Sequence, residues 1–192
     1  MTRKEIKLAA KESLKGNWGV AILALLIAGI ILSAVSFSGI GTLILMGPFA
    51  LGVVMVYSGI VRKQQVGVGT VFGGFSNFAN SFLAGLLVSV FTFLWSLLFW
   101  IPGIIKSYSY SMTFFILNDH PELTNADAIT ESRKMMDGHK MELFILDLSF
   151  IGWYLLVGRT FGLLSFYVVP YHNAAKAMFY ENLKGAAAPA EA

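Results

Sequence analysis

ESRKMMDGHKMELFILDLSFIGWYLL, Glu131 to Leu156, runs a compact polar elbow straight into an apolar helix. Ser132, Arg133, Lys134, Asp137, Gly138, His139 and Lys140 form the elbow. Leu143 to Val157 forms the helix, and Asp147 is its single acid. A run this apolar needs either a protein interior or lipid around it, and the composition selects lipid. Of the 192 residues 56% are hydrophobic and only 13% charged, with a mean hydropathy of +0.69. A soluble domain carries about 25% charge. The apolar excess is more than one small core can hide.

Working outward from the elbow, similar apolar runs recur along the chain. A membrane crossing needs roughly 20 apolar residues. The pattern predicts an all-α, multi-pass membrane protein with about six transmembrane helices, at 18–35, 43–61, 82–100, 104–117, 143–157 and 161–179. These make one integral membrane domain over 1–184, followed by a disordered tail at 185–192. In the first span Ala21, Ala24 and Ala28 share a face and permit close helix packing. The second span is interrupted by Gly47-Pro48, and Pro102-Gly103 reads as the outer turn between spans three and four. The first apolar run exceeds the usual signal-peptide core of about 7–15 residues, and no A-x-A site follows it, so it is read as a retained span.

Short surface helices complete the pattern. Thr2-Arg3-Lys4-Glu5 has the form of a capping box, with Ile6, Ala9, Ala10 and Leu14 following at helical spacing. That segment is either a helix on the membrane surface or an extension of the first span. Between Gln64 and Ser81 the glycines indicate a loop, while Phe72, Phe75, Phe78 and Phe82 recur every three or four residues as an aromatic stripe. Thr124 or Asn125 can cap a helix from Ala126 to about Asp137, with Gly138 as its stop.

Charge placement sets the orientation. With six crossings and both termini inside, the cytoplasmic face holds Arg3, Lys4, Lys7, Lys11, Lys15, Arg62, Lys63, Arg133, Lys134, Lys140, Lys176 and Lys184, and only Lys106 and Arg159 fall on the outer side. That is the asymmetry of the positive-inside rule. The net charge of +3 is therefore not a nucleic-acid footprint, because the cations sit at the ends of apolar runs and not along one helix face.

Asp147 is the first candidate for chemistry. It lies about five residues, roughly 7–8 Å, into its span. An acid at that depth usually faces protein or water and has a partner. A tight turn at Gly158 makes the last two spans antiparallel neighbours, which brings Tyr171 and His172 level with Asp147, with Lys176 or Lys140 as longer-reaching alternatives. This trio is either a polar clamp between helices or a proton- or ion-linked transport site. The elbow residues Arg133, Lys134, Gly138, His139 and Lys140 suit contact with anionic lipid headgroups or a cytoplasmic or membrane protein partner. Lys106 and Arg159 are read as snorkelling headgroup contacts. Asp119, His120 and Glu122 lack metal-ligand spacing, the zero cysteine count removes thiolate chemistry, and no P-loop, His-Glu-x-x-His or Gly-x-Ser-x-Gly occurs. The sequence is read as non-enzymatic, without cofactor or metal.

A family resemblance rests on several short runs. They are Ile101-Pro102-Gly103-Ile104-Ile105-Lys106-Ser107-Tyr108-Ser109-Tyr110, Met136-Asp137-Gly138-His139-Lys140, Ser149-Phe150-Ile151-Gly152-Trp153, Pro170-Tyr171 and Phe179-Tyr180, with Gly16-Asn17-Trp18 near the start. Together, from about Arg3 to Leu183, the chain resembles the bacterial integral membrane proteins grouped as domain of unknown function 975. The resemblance implies a six-helix protein of the bacterial inner (cytoplasmic) membrane. It implies no activity, substrate or catalytic residue.

Overall fold

A computed structural model of the chain describes residues 1–36, 40–98, 100–160 and 162–187. Among them every regular element is helical. The first element, α1 (Arg3–Ser13), starts at the expected capping box: Thr2 N donates to Glu5 Oε2 at 2.8 Å and Glu5 N to Thr2 Oγ1 at 3.4 Å. A turn with Gly16 at φ +85° separates it from α2 (Trp18–Val35), so α1 is not an extension of the first span. Its Ile6, Ala10 and Leu14 are buried and the helix packs along the C-terminal helix α10 (Ser165–Ala187). The amino terminus reaches Asn182 Oδ1 at 3.0 Å. Both ends of the described chain therefore lie together.

The hairpin of α2 and α3 (Ile40–Val61) uses the small face expected of α2. Ala21, Ala24 and Ala28 are buried, and Tyr57 on α3 donates to the Ala21 carbonyl at 3.0 Å. A 3₁₀ segment (Val68–Phe75) then runs back along α3 into α4 (Phe78–Leu98). The approach is close enough that glycine is required. A Cβ on Gly52 would collide with the Val71 carbonyl, and one on Gly74 with the Pro48 carbonyl. The phenylalanine stripe forms a ladder: Phe72–Phe75, Phe75–Phe78 and Phe78–Phe82 have ring centroids 6.2, 6.2 and 6.0 Å apart, and Phe49 of α3 caps it at 5.1 Å from Phe75.

The second half of the chain differs from the expected simple crossings. The run 104–117 is not one helix. Residues α5 (Trp100–Ser109) and α6 (Thr113–Asp119) are separated by a turn at Tyr110–Met112. Pro102-Gly103 is not a turn either; it lies in the first turn of α5. A proline there costs little, because the first-turn N–H groups have no helical partner anyway. The helix before the elbow, α7 (Asn125–Met135), is capped by Thr124 as predicted, and Gly138 stops the segment with φ +81°. Next, α8 (Lys140–Leu148) and α9 (Ile151–Arg159) share one apolar stretch, with a turn at Ser149-Phe150.

Four stretches are long and apolar enough to cross a membrane: Trp18–Val35, Gly41–Val61, Phe78–Leu97 and Lys140–Arg159. The expected crossings at 104–117 and 161–179 are not among them. The first is broken, and α10 carries His172, Asn173, Lys176 and Glu181 within a helix that continues to Ala187, past the predicted boundary at 184. Large apolar side chains project outward from α5 and α9, with Ile101 72% and Leu155 70% exposed, as expected of a surface that faces lipid.

Candidate functional site around Asp147

Asp147 sits on the inner face of α8, its side chain 21% exposed, where three other helices converge. His172 of α10 brings Nε2 to 2.7 Å from Asp147 Oδ1. Tyr108 of α5 donates to Oδ2 at 3.0 Å, and Lys176 Nζ lies 3.5 Å from the same oxygen. Tyr154 of α9 reaches His172 Nδ1 at 2.8 Å. An ionised carboxylate only accepts, so His172 Nε2 carries a hydrogen; in the neutral imidazole Nδ1 then accepts from Tyr154. Both carboxylate oxygens are thus occupied. An unpaired acid at mid-helix costs about 2.5–3.5 kcal/mol on insertion scales, and these partners offset that cost.

His172 and Lys176 are one helical turn apart, so they share the face of α10 turned to Asp147. Tyr171 is rotated by roughly 100° and goes elsewhere, packing its ring edge-on to Phe150 at 5.1 Å. Lys140 also turns away, to Asp137 at 3.6 Å. Phe150 supports the site from below: it stacks on His172 at 4.6 Å, with Lys7 of α1 4.3 Å above its ring and hydrogen-bonded to the Ser149 carbonyl at 3.3 Å. Tyr108 and Tyr154 are the two site residues that the sequence reading passed over. The serine and tyrosine alternation at 107–111 is the signal for the first; nothing local marks the second.

The elbow residues and Lys106 form a second polar region. Lys106 was expected on the side opposite the elbow. It instead lines one cleft of about 380 Å³ with Arg133, Lys134 and Lys140, its ammonium 4.6 Å from the Trp95 ring centroid. The break between α5 and α6 brings α7 against them, which puts the two groups of cations side by side. His139 lies 3.4 Å from Glu142. Arg159 is exposed in the last turn of α9, where a cation complements the helix dipole.

A third network, also missed, ties α3, α6 and α10. Arg62 grips Asp119 with a two-pronged pair at 2.7 and 2.8 Å and holds Glu181 at 2.6 Å. Lys184 and Tyr180 add contacts to Asp119 at 2.7 and 3.0 Å. Burial pushes the Asp119 carboxyl up, but the hydrogen bonds from Arg62 and Lys184 outweigh it and hold the group below the ordinary carboxylate value. His120 and Glu122 pair with each other at 3.0 Å on the surface, and no metal-binding group of three occurs among the described residues.

No curated protein and no solved structure matches the chain. A family model described as a protein of unknown function matches residues 1–106 and 97–187, two segments that overlap at 97–106, the end of α4 and most of α5. They take in the Asp147 cluster, the elbow and the Arg62–Asp119 network alike, and the chain belongs to DUF975.

Proposed function

We propose that the protein is a multi-pass protein of the bacterial inner membrane, with both termini cytoplasmic, that organises lipids or membrane partners without catalysing a reaction. The observation that carries this is the saturation of Asp147. Its two oxygens are held by His172, Tyr108 and Lys176, from α10 and α5. An acid so occupied acts as a clamp between helices. The contact between the amino terminus and Asn182 supports an even number of crossings. Six crossings, the number the apolar runs suggest, need α5–α6 and α10 to cross beside the four apolar stretches.

The test is extraction in mild detergent and identification of all bound protein. A stoichiometric partner that is lost when Arg133 and Lys134 are changed to alanine supports the organising role. A protein that elutes without any partner, from cells at native expression, removes the partner arm of it.

A small transporter or channel subunit is the second reading. It draws on the unbroken hydrogen-bonded chain Tyr108–Asp147–His172–Tyr154, which ends at a tyrosine 39% exposed on the apolar face of α9. Ionisable groups at membrane depth commonly form relays. Loss of proton flux in proteoliposomes on Asp147→Asn, with assembly intact, selects this reading.

A further inference from the structure

Lys106, Arg133, Lys134 and Lys140 converge on one cleft of about 380 Å³, with Asp137 as the only carboxylate in its wall. They come from three helices, α5, α7 and α8, so their meeting is a product of the fold and not of one basic run. Two of the pairings within reach are weak. Lys140 is 3.6 Å from Asp137, which is 86% exposed, and Lys134 pairs with exposed Glu131 within its own helix. Neither Arg133 nor Lys106 has an ion pair among the described residues. The position of Lys140 also runs against stability. It is the first residue of α8, where the helix dipole favours negative charge and disfavours a cation. Like charges gathered this way repel unless an anion joins them.

The remaining walls narrow the ligand. Ser109 and Thr130 border the cleft, but their hydroxyl hydrogens are committed to the Ile105 and Ala126 carbonyls at 3.0 and 2.8 Å. Recognition therefore falls to ammonium and guanidinium groups, which suit a phosphate. Ile104 and Ile105, next to Lys106 on α5, are 50% and 48% exposed. Apolar surface thus adjoins the charged cleft, as a headgroup with acyl chains attached requires.

We infer that this cleft binds a phosphate group, and that the phosphate belongs to an anionic phospholipid headgroup. The inference rests on the organising role proposed above and names the ligand of that site. The test uses the full chain purified in detergent, with native mass spectrometry of the lipid retained after exposure to phosphatidate in a phosphatidylcholine background. The Lys106→Gln, Arg133→Gln double variant is compared with Lys15→Gln, which lies outside the cleft. Each surface cation near lipid is worth about five-fold in affinity, so the double variant retains roughly 25-fold less phosphatidate while Lys15→Gln matches the parent. Equal loss in both, or no loss in the double variant at unchanged thermal stability, overturns the proposal. Inorganic phosphate at millimolar concentration separates the sources. If it stabilises the parent but not the double variant and phosphatidate does not, the ligand is a free phosphate, and the lipid assignment falls. Binding of phosphatidate without any protein partner in the co-purification leaves the cleft assignment standing and removes only the partner arm.

Discussion

Ser132 Oγ donates to the Ser109 carbonyl at 2.9 Å and accepts from the Met112 amide at 3.2 Å. One hydroxyl, fully buried, thereby serves two backbone groups orphaned where α5 gives way to α6. A broken helix inside an apolar bundle is tolerated only when its freed groups find partners. Ser132→Ala leaves both groups unpaired and is expected to lower stability by about 1–3 kcal/mol. Thermal unfolding in detergent reads it directly. A melting temperature equal to the parent's means water or a shift of the turn replaces the serine, and the break does not depend on α7.

Asp147 and His172 form the next joint. Asp147→Asn keeps the shape but removes the charge that Lys176 and His172 face, and is expected to cost about 2 kcal/mol, the scale of a charge-assisted hydrogen bond. Because the two side chains touch, Asp147→Asn and His172→Gln should be non-additive, with a coupling of about 1 kcal/mol or more. Strict additivity in the double-mutant cycle means the 2.7 Å contact does not hold in the membrane.

The Arg62–Asp119 pair gives a pH prediction with a defined sign. The folded-state value of Asp119 is depressed, so its stabilisation is present above the ordinary carboxylate value of about 3.9 and is lost as pH falls through the lower folded value. Asp119→Asn should therefore destabilise by about 2 kcal/mol near neutral pH, the scale of a hydrogen bond to a charged group in a part-buried pair, and the gap to the parent should close in acid. A gap that is unchanged at pH 3 points to a packing cause.

Much of this was legible in the sequence because the signals are local. Thr2 and Thr124 cap where a hydroxyl meets a free amide turn, Gly138 stops a helix with φ +81°, and Ala21, Ala24 and Ala28 turn inward together. The approach of Asp147 to His172 followed from counting residues back from a hairpin, although Gly158 lies inside α9 and the turn comes after Arg159, with Gly162 at φ +85°. Other features depend on long-range packing. Arg62 and Asp119 are 57 residues apart, and no periodicity links them. Tyr108 and Asp147 are 39 residues apart, and the break that follows α5 is not marked by glycine or proline. Pro102-Gly103 misled for a physical reason: a proline in the first turn of a helix and a proline in a turn look the same in sequence.

The place of Lys106 leads to the sharpest topological prediction. A turn at Pro102-Gly103 starts a new crossing and leaves Lys106 on the outer side, away from the elbow. With Pro102 inside α5, Lys106 and Asp137 border the same cleft. Two residues around one cleft of that size cannot be separated by roughly 30 Å of hydrocarbon. Single cysteines at Lys106 and at Asp137, introduced into a chain that has none of its own, should therefore be labelled by an impermeant maleimide from the same face of intact cells. The positive-inside rule draws four cations set against one carboxylate toward the cytoplasm, whereas the Lys106 ammonium lies beside Trp95, near the end of α4 remote from Phe78. Labelling of both from outside keeps the cleft and reverses the orientation of this half of the chain. Labelling from opposite faces dissolves the cleft, and with it the packing of α7 against the break between α5 and α6.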